Sequence, residues 1–312
     1  MPTLVSDRVR RFLAVRGGAI TRKVTERRHL TRNHSSDRAI IGDAPIVVSL
    51  TSFGPRLPTA FFAIESIAAG TRLPRRIMLW LCDEDYEKPL PVELKRLVDR
   101  GLEVRACIDL GPFKKFYPYI SSQGSIDLSL VTADDDALYP RRWLQRFVQA
   151  VRQQPDTILA YRARSVQATG KALTRYSDWP LCRSARPSYT TFATGVSGVL
   201  YPPRFLDVLR SAGDGFLTAC PTADDIWMHF NAVLHGFKVQ QMRPRAAEYR
   251  QISGTQTTML GSQNVIDGRN DAYISNLYND IVLSRLLHEI LPADSRSRTI
   301  RRRSRGPEFH SK

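Results

Sequence analysis

From Pro45 onward, short apolar runs alternate with helix-length amphipathic segments along most of the chain. Ile46-Val47-Val48-Ser49-Leu50-Thr51 is a nearly unbroken apolar, β-branched run, which predicts a strand covered on both faces. Pro58 to Gly70 predicts a helix with proline at its start and glycine at its end. Ile77-Met78-Leu79-Trp80-Leu81 predicts a second strand, Pro91 to Arg100 a second helix closed by Gly101, and Leu102 to Cys107 a third strand. After a loop and a short helix come a fourth strand, Ile126 to Thr132, a helix from Pro140 to Gln153 and a strand near Thr157 to Tyr161. Strands and helices in alternation predict an α/β domain, with a mostly parallel sheet and helices on both faces.

The rhythm stops between residues 162 and 194, where Arg, Ser, Thr and Tyr surround Trp179-Pro180. So long an irregular stretch inside a compact domain predicts a functional or mobile loop. Gly198 to Tyr201 restores a strand pattern, and a helix is expected from Pro203. In Asp224 to His235, followed by Phe237, the residues Ile226, Phe230, Val233, Leu234 and Phe237 recur at helical spacing and define a buried face. A last apolar helix is expected from about Ala272 to Leu291.

Composition alters this picture in one respect. The 312 residues are 42% apolar and 24% charged, which excludes a disordered chain, a fibre or a coiled coil. A net charge of +16 points toward nucleic acid until the charge is located. Residues 1–40 hold ten Lys/Arg against three acids, and residues 295–312 hold seven against one, so the body between them is close to neutral. The expected division is a basic arm over 1–44, one domain over 45–291 and a basic tail over 292–312. Nucleic acid is not an expected partner. The arm reads either as a short amphipathic helix on an anionic membrane surface or as a solvated segment. No run approaches the ~18 apolar residues of a membrane span, and the N-terminus lacks the apolar centre of a secretion signal, so a cytoplasmic location is expected, peripheral on the inner face of the membrane if the arm docks there. Cys82, Cys107, Cys182 and Cys220 form no C-x-x-C pair, which argues against a zinc site or a disulfide framework.

Ligands of an open parallel sheet bind beyond the carboxyl ends of its strands. Four such places are informative. Asp134-Asp135-Asp136 follows the fourth strand; if the backbone stays extended, Asp134 and Asp136 point the same way and can share a divalent cation, Mn²⁺ or Mg²⁺. The alternative is a solvated acidic turn. Asp224-Asp225 opens a helix, where capping and the helix dipole also favour carboxylates. His229 shares a face with Asp225, either as a further ligand or, more simply, packed against the sheet. Thr51, Ser52 and Arg56 follow the first strand and Asp83-Glu84-Asp85 the second, positions able to hold a base and ribose. Lys114 and Lys115 follow the third strand as candidates for a diphosphate. Neither G-x-G-x-x-G nor a P-loop is present, so another device must neutralise phosphates.

Together VVSLTSFGPRLPTAFFAIESI, the Ile77 to Leu81 strand, VTADDDALYPRRWL, TGVSGVLYPP and CPTADDIW resemble the GT-A fold nucleotide-sugar glycosyltransferases, near the bacterial family-2-like enzymes of surface and capsular polysaccharide synthesis. The resemblance spans roughly residues 45–240. It implies a GT-A, Rossmann-like fold and transfer of a sugar from a nucleotide donor, UDP by default, to a glycan or lipid-linked acceptor. It implies that two of Asp134, Asp135 and Asp136 hold the metal against the donor diphosphate, that Asp83 meets the base and that Thr51 begins the nucleoside segment. It further implies that Asp224-Asp225 stands where inverting relatives carry Glu-Asp, with Asp225 the catalytic base. The Q-x-x-R-W signature of processive synthases is absent. Residues 162–194 and Asn264 to Asp271 are candidates for acceptor contacts and a closing lid. A nucleic-acid binder, a catalytically inactive α/β scaffold and a retaining transferase are the competing expectations.

Overall fold

The computed structural model describes residues 21–255 and 267–291. The outer parts of both basic segments lie outside these residues, as does Asn264 within the expected acceptor segment.

Seven strands form the central sheet: β1 (Ala44–Thr51), β2 (Pro74–Cys82), β3 (Leu102–Cys107), β4 (Ser129–Thr132), β5 (Ile158–Ala160), β6 (Val199–Tyr201) and β7 (Val239–Gln241). Their order across the sheet is β7-β5-β6-β4-β1-β2-β3. All neighbours are parallel except β6, which runs antiparallel to both β4 and β5. The mostly parallel expectation therefore holds with one reversed strand. β7 is an edge strand whose apolar signal, Val239 alone, is too short to read from sequence.

Period-two alternation divides the sheet into two faces. Ile46, Val48, Leu50, Leu79, Val131, Leu159 and Leu200 face one core, together with Phe61, Ile64, Trp143 and Phe147. Val47, Trp80, Leu130, Ile158, Val199 and Val239 face the other, with Phe205, Phe216, Ile226 and Val233. The covering helices are α1 (residues 21–35), α2 (Ala60–Ala68), α3 (Val92–Asp99), α4 (Tyr117–Ser122), α5 (Trp143–Gln153), α6 (Pro203–Ala212), α7 (Asp224–Leu234), α8 (Arg269–Leu277) and α9 (Asp280–Ile290).

Three expectations change. Residues 162–194 are built rather than loose: Ala163–Ser165 pairs antiparallel with Thr191–Ala193, and Trp179 and Phe192 are fully buried. Their aromatic side chains supply the burial that the missing periodicity had concealed. The single terminal helix is two, because Asn279 caps a new one by accepting from the Val282 amide at 3.1 Å. Residues 21–35, expected within a basic arm, form α1 and pack on the domain. Asn33 is 1% exposed and donates to Glu65 at 3.2 Å and to the Glu93 carbonyl at 3.0 Å. Glu65, itself buried, also pairs with Arg100. Among the described residues no helix is long and apolar enough to cross a membrane.

Candidate active site

Reversal of β6 decides where the site lies. The parallel strands β1 and β4 end at Thr51 and Thr132, and Thr132 pairs with Val199, the first residue of β6. The segment Thr194 to Gly198 that feeds β6 therefore sits at the same edge of the sheet. Two constraints hold that segment. Gly198 has φ +103°, and a Cβ there would stand 2.7 Å from the Trp143 ring, while the Trp143 indole N–H donates to the Ser197 carbonyl at 2.9 Å. Helix α6 then carries the chain away, and its return brings the start of α7 to this edge.

Asp135 and Asp136 lie in a turn, so the extended geometry expected for the three aspartates does not persist past Asp134. Asp134 has a partner of its own, and Asp135 and Asp136 share one. Asp134 pairs with Lys115, and its backbone amide donates to the Tyr139 hydroxyl at 2.7 Å. Asp135, 5% exposed, accepts from the Ser52 hydroxyl at 2.6 Å and from Arg56 at 3.2 Å. Asp136 meets the same Arg56 guanidinium at 3.2 Å. Burial, reinforced by repulsion from Asp134, pushes the Asp136 carboxyl up to about 6 despite Arg56. Burial likewise raises Asp135.

Asp224 and Asp225 are half-buried at the first turn of α7. Asp225 accepts from the Gly195 amide at 2.9 Å. Burial raises both carboxyls, and repulsion from Asp224 adds to it at Asp225 and repulsion from Asp134 at Asp224, with Lys115 opposing at each. Lys115 itself loses solvation, yet Asp134 and then Asp224 outweigh that loss and hold its ammonium charged. The two acidic clusters, 88 residues apart in sequence at their nearest members, thus meet around one lysine. Lys115 is delivered by its neighbours: Phe113 and Phe116 are buried, and Phe113 stacks on Phe216 with ring centroids 4.0 Å apart.

Other expected residues are placed differently. The Thr51 hydroxyl donates to the Trp80 carbonyl at 2.9 Å. Asp83 is exposed at the start of a one-turn helix, Asp83–Tyr86. Lys114 pairs with Asp109 at 2.7 Å, beyond β3, rather than joining the aspartates. His229 is engaged on both nitrogens, at 2.6 Å to the Tyr278 hydroxyl and 2.9 Å to the Tyr189 carbonyl, so it packs and does not ligate. The carbonyl can only accept, which puts the proton on Nε2.

Two residues were not singled out from sequence, and a third, Asp85, was named only within Asp83-Glu84-Asp85. Asp85 is buried and accepts from the Gly54 amide at 2.7 Å, a bond that, more than Lys88 beside it, holds its carboxyl below the usual range. Tyr139 positions the Asp134 backbone, and Gly195 positions Asp225. Asp85 stood within an acidic triplet and Gly195 within TGVSG, so both were visible as types without an assigned place.

Among the described residues no three His, Cys, Asp or Glu side chains gather as a metal site. The donor chemistry nevertheless suits a hard divalent ion, which is commonly held by one or two carboxylates with substrate phosphates completing its shell. Asp134 and Asp136 offer two such carboxylates, and their repulsion is the cost a cation relieves.

The fold has counterparts among solved structures. The mannosyltransferase PcManGT from Pyrobaculum calidifontis, in complex with GDP-Man and Mn²⁺, superposes with a TM-score of 0.50 at 13% identity, covering 89% of this chain and 78% of that one. The fold is GT-A-like. S. aureus TarS 1-349 matches at TM-score 0.43 and 12% identity over 65% of this chain, which spans 59% of that protein's length. The inositol-1-phosphate CTP transferase from T. maritima matches at 0.42 and 10%, covering 81% of this chain and all of that one. No family model and no curated protein matches the sequence.

Proposed function

We infer that this GT-A-like chain is a metal-dependent glycosyltransferase that moves a sugar from a nucleotide-sugar donor to a hydroxyl of a glycan or lipid-linked acceptor, with inversion. Convergence of Asp134 to Asp136 and Asp224-Asp225 on Lys115 at one sheet edge carries this reading. It gives one place two chemistries: a cation-rich acidic floor for a diphosphate and a separate desolvated carboxylate pair for a proton.

Asp134 and Asp136 would hold the divalent ion, which supplies charge neutralisation for the departing diphosphate. Lys115 and Arg56 lie against the same carboxylates and are within reach of phosphate oxygens once the donor binds, adding fixed positive charge where negative charge develops. Asp225 takes the proton of the acceptor hydroxyl as its oxygen bonds to the anomeric carbon and the bond to the diphosphate breaks. Burial and Asp224 raise the Asp225 carboxyl toward the working range of a general base, and the Gly195 amide fixes its orientation. Asp85, buried beside the Gly54 turn after β1, supports the wall on which the nucleoside would lie.

A thermal-shift panel of nucleotide sugars with and without Mn²⁺ tests the donor half, and NMR of the product's anomeric configuration tests the acceptor half. Stabilisation by a nucleotide only with Mn²⁺, lost in Asp136→Asn, is expected. Absence of stabilisation by every nucleotide tried, or retention of the starting configuration, overturns the assignment.

A further inference from the structure

A cavity lies between α1 and the body of the domain. It has a volume of about 560 Å³ and is lined by Thr25, Arg28, His29 and Arg32 of α1 and by Tyr139 and Arg141. Thr25, Arg28, His29 and Arg32 stand at i, i+3, i+4 and i+7, so they form one stripe along α1. A helix packed on a domain normally presents apolar residues at that spacing to its neighbour. Here the positions that border the cavity carry Arg28, exposed at its rim, with His29 and Arg32 part-buried behind it, while Asn33 and Glu26 on adjoining positions make contacts with the domain.

The charge in that wall has no internal answer. No carboxylate lines it, and among the described residues Arg28, Arg32 and Arg141 make no ion pair with an acid. His29 has no hydrogen-bond partner there either, and burial, with Arg32 beside it, lowers its imidazole to about 4. Helix α1 is nevertheless fixed in place, by Asn33 on Glu65 and by Glu26 on Ser253 at 2.8 Å. The polar anchors on adjoining positions therefore fix where Arg28 and Arg32 stand at the cavity.

We propose that this cavity is an anion-binding site for a phosphate- or diphosphate-bearing ligand, held by Arg28 and Arg32 from α1 and by Arg141 from the segment before α5. Guanidinium groups match phosphate geometry through paired N–H donors, and two segments give the clamp that a lone surface arginine lacks. The volume falls in the range of small-molecule pockets, ~300–1,000 Å³, and so accommodates more than an isolated phosphate. The site shares none of the aspartates, and its link to them is Tyr139, whose hydroxyl accepts from the Asp134 amide at 2.7 Å.

Titration calorimetry of the full chain with inorganic pyrophosphate, without divalent metal, and co-sedimentation with phosphatidylcholine vesicles containing phosphatidic acid separate a free phosphate from a lipid headgroup. Binding in either arm is expected to weaken at least about ten-fold in Arg28→Gln/Arg32→Gln and to fall in Arg141→Gln. Arg28→Lys/Arg32→Lys should restore part of it, and Asp225→Asn should leave it unchanged. Arg28 and Arg141 are exposed, so these variants are expected to melt near the wild-type temperature. Binding equal in wild type and the glutamine variants, or no binding in both arms, overturns the proposal.

Discussion

The two acidic clusters differ in how far their charge is answered. Asp134, Asp135 and Asp136 are met by Lys115, Arg56 and the Ser52 hydroxyl, three polar groups for three carboxylates. Asp224 and Asp225 share the field of Lys115 and one backbone amide; burial raises both carboxyls, with Asp224 adding to the rise at Asp225 and Asp134 to that at Asp224. A neutralised cluster suits holding charge in place, whereas an under-neutralised one suits exchanging a proton. Position in the fold enforces this division: the first cluster sits on a turn between β4 and the arginine-bearing segment after β1, while the second is lodged at a helix start beneath Thr194 to Gly198.

Asp225→Asn separates the clusters most sharply. Transfer is expected to fall ~10²–10⁴-fold, the usual worth of a general base, while the Mn²⁺-dependent nucleotide shift in melting temperature survives. Loss of both together would show that the clusters do not divide the work.

Acid should cost stability through His229. His229 is buried on α7 with its imidazole lowered to about 4, below its ordinary 6.5. The unfolded chain therefore binds the proton that the folded chain refuses, and stability present above pH 6.5 is lost as pH falls toward 4, by at most about 3 kcal/mol. Urea unfolding across this range should show the slope in wild type and a flatter one in His229→Gln. An equal slope in both would place the acid sensitivity elsewhere.

Asp134→Asn addresses the first cluster. Ligand-linked stabilisation of about 2.7 kcal/mol, expected at a hundred-fold excess of nucleotide over Kd, should disappear, with the apo melting temperature changed less. Gly198→Ala probes the support of the second cluster: a Cβ 2.7 Å from Trp143, at φ +103°, should cost ~1–3 kcal/mol and lower transfer more than nucleotide binding. Arg72→Ala, which removes an exposed pair with Asp43 at 3.0 Å, is the smallest, at under about 1 kcal/mol in melting experiments.

Sequence by itself determined the sheet half from β1 to β4, because strands buried on both faces must be apolar throughout and their helices must be amphipathic; Leu102–Cys107 was delimited to the residue. It also singled out Asp134 to Asp136, Asp224 and Asp225, since clustered carboxylates at strand ends and helix starts are conspicuous one-dimensional patterns. Only the tertiary structure decided that β6 runs backward, that Trp179 and Phe192 bury the excursion between residues 162 and 194, and that α1 belongs to the body. It alone decided that Lys115 joins the clusters and Lys114 does not, and that Asp85 is buried where Asp83 is exposed. Periodicity records which side of an element is dry; adjacent lysines or alternate acids differ only in what the rest of the chain brings to face them.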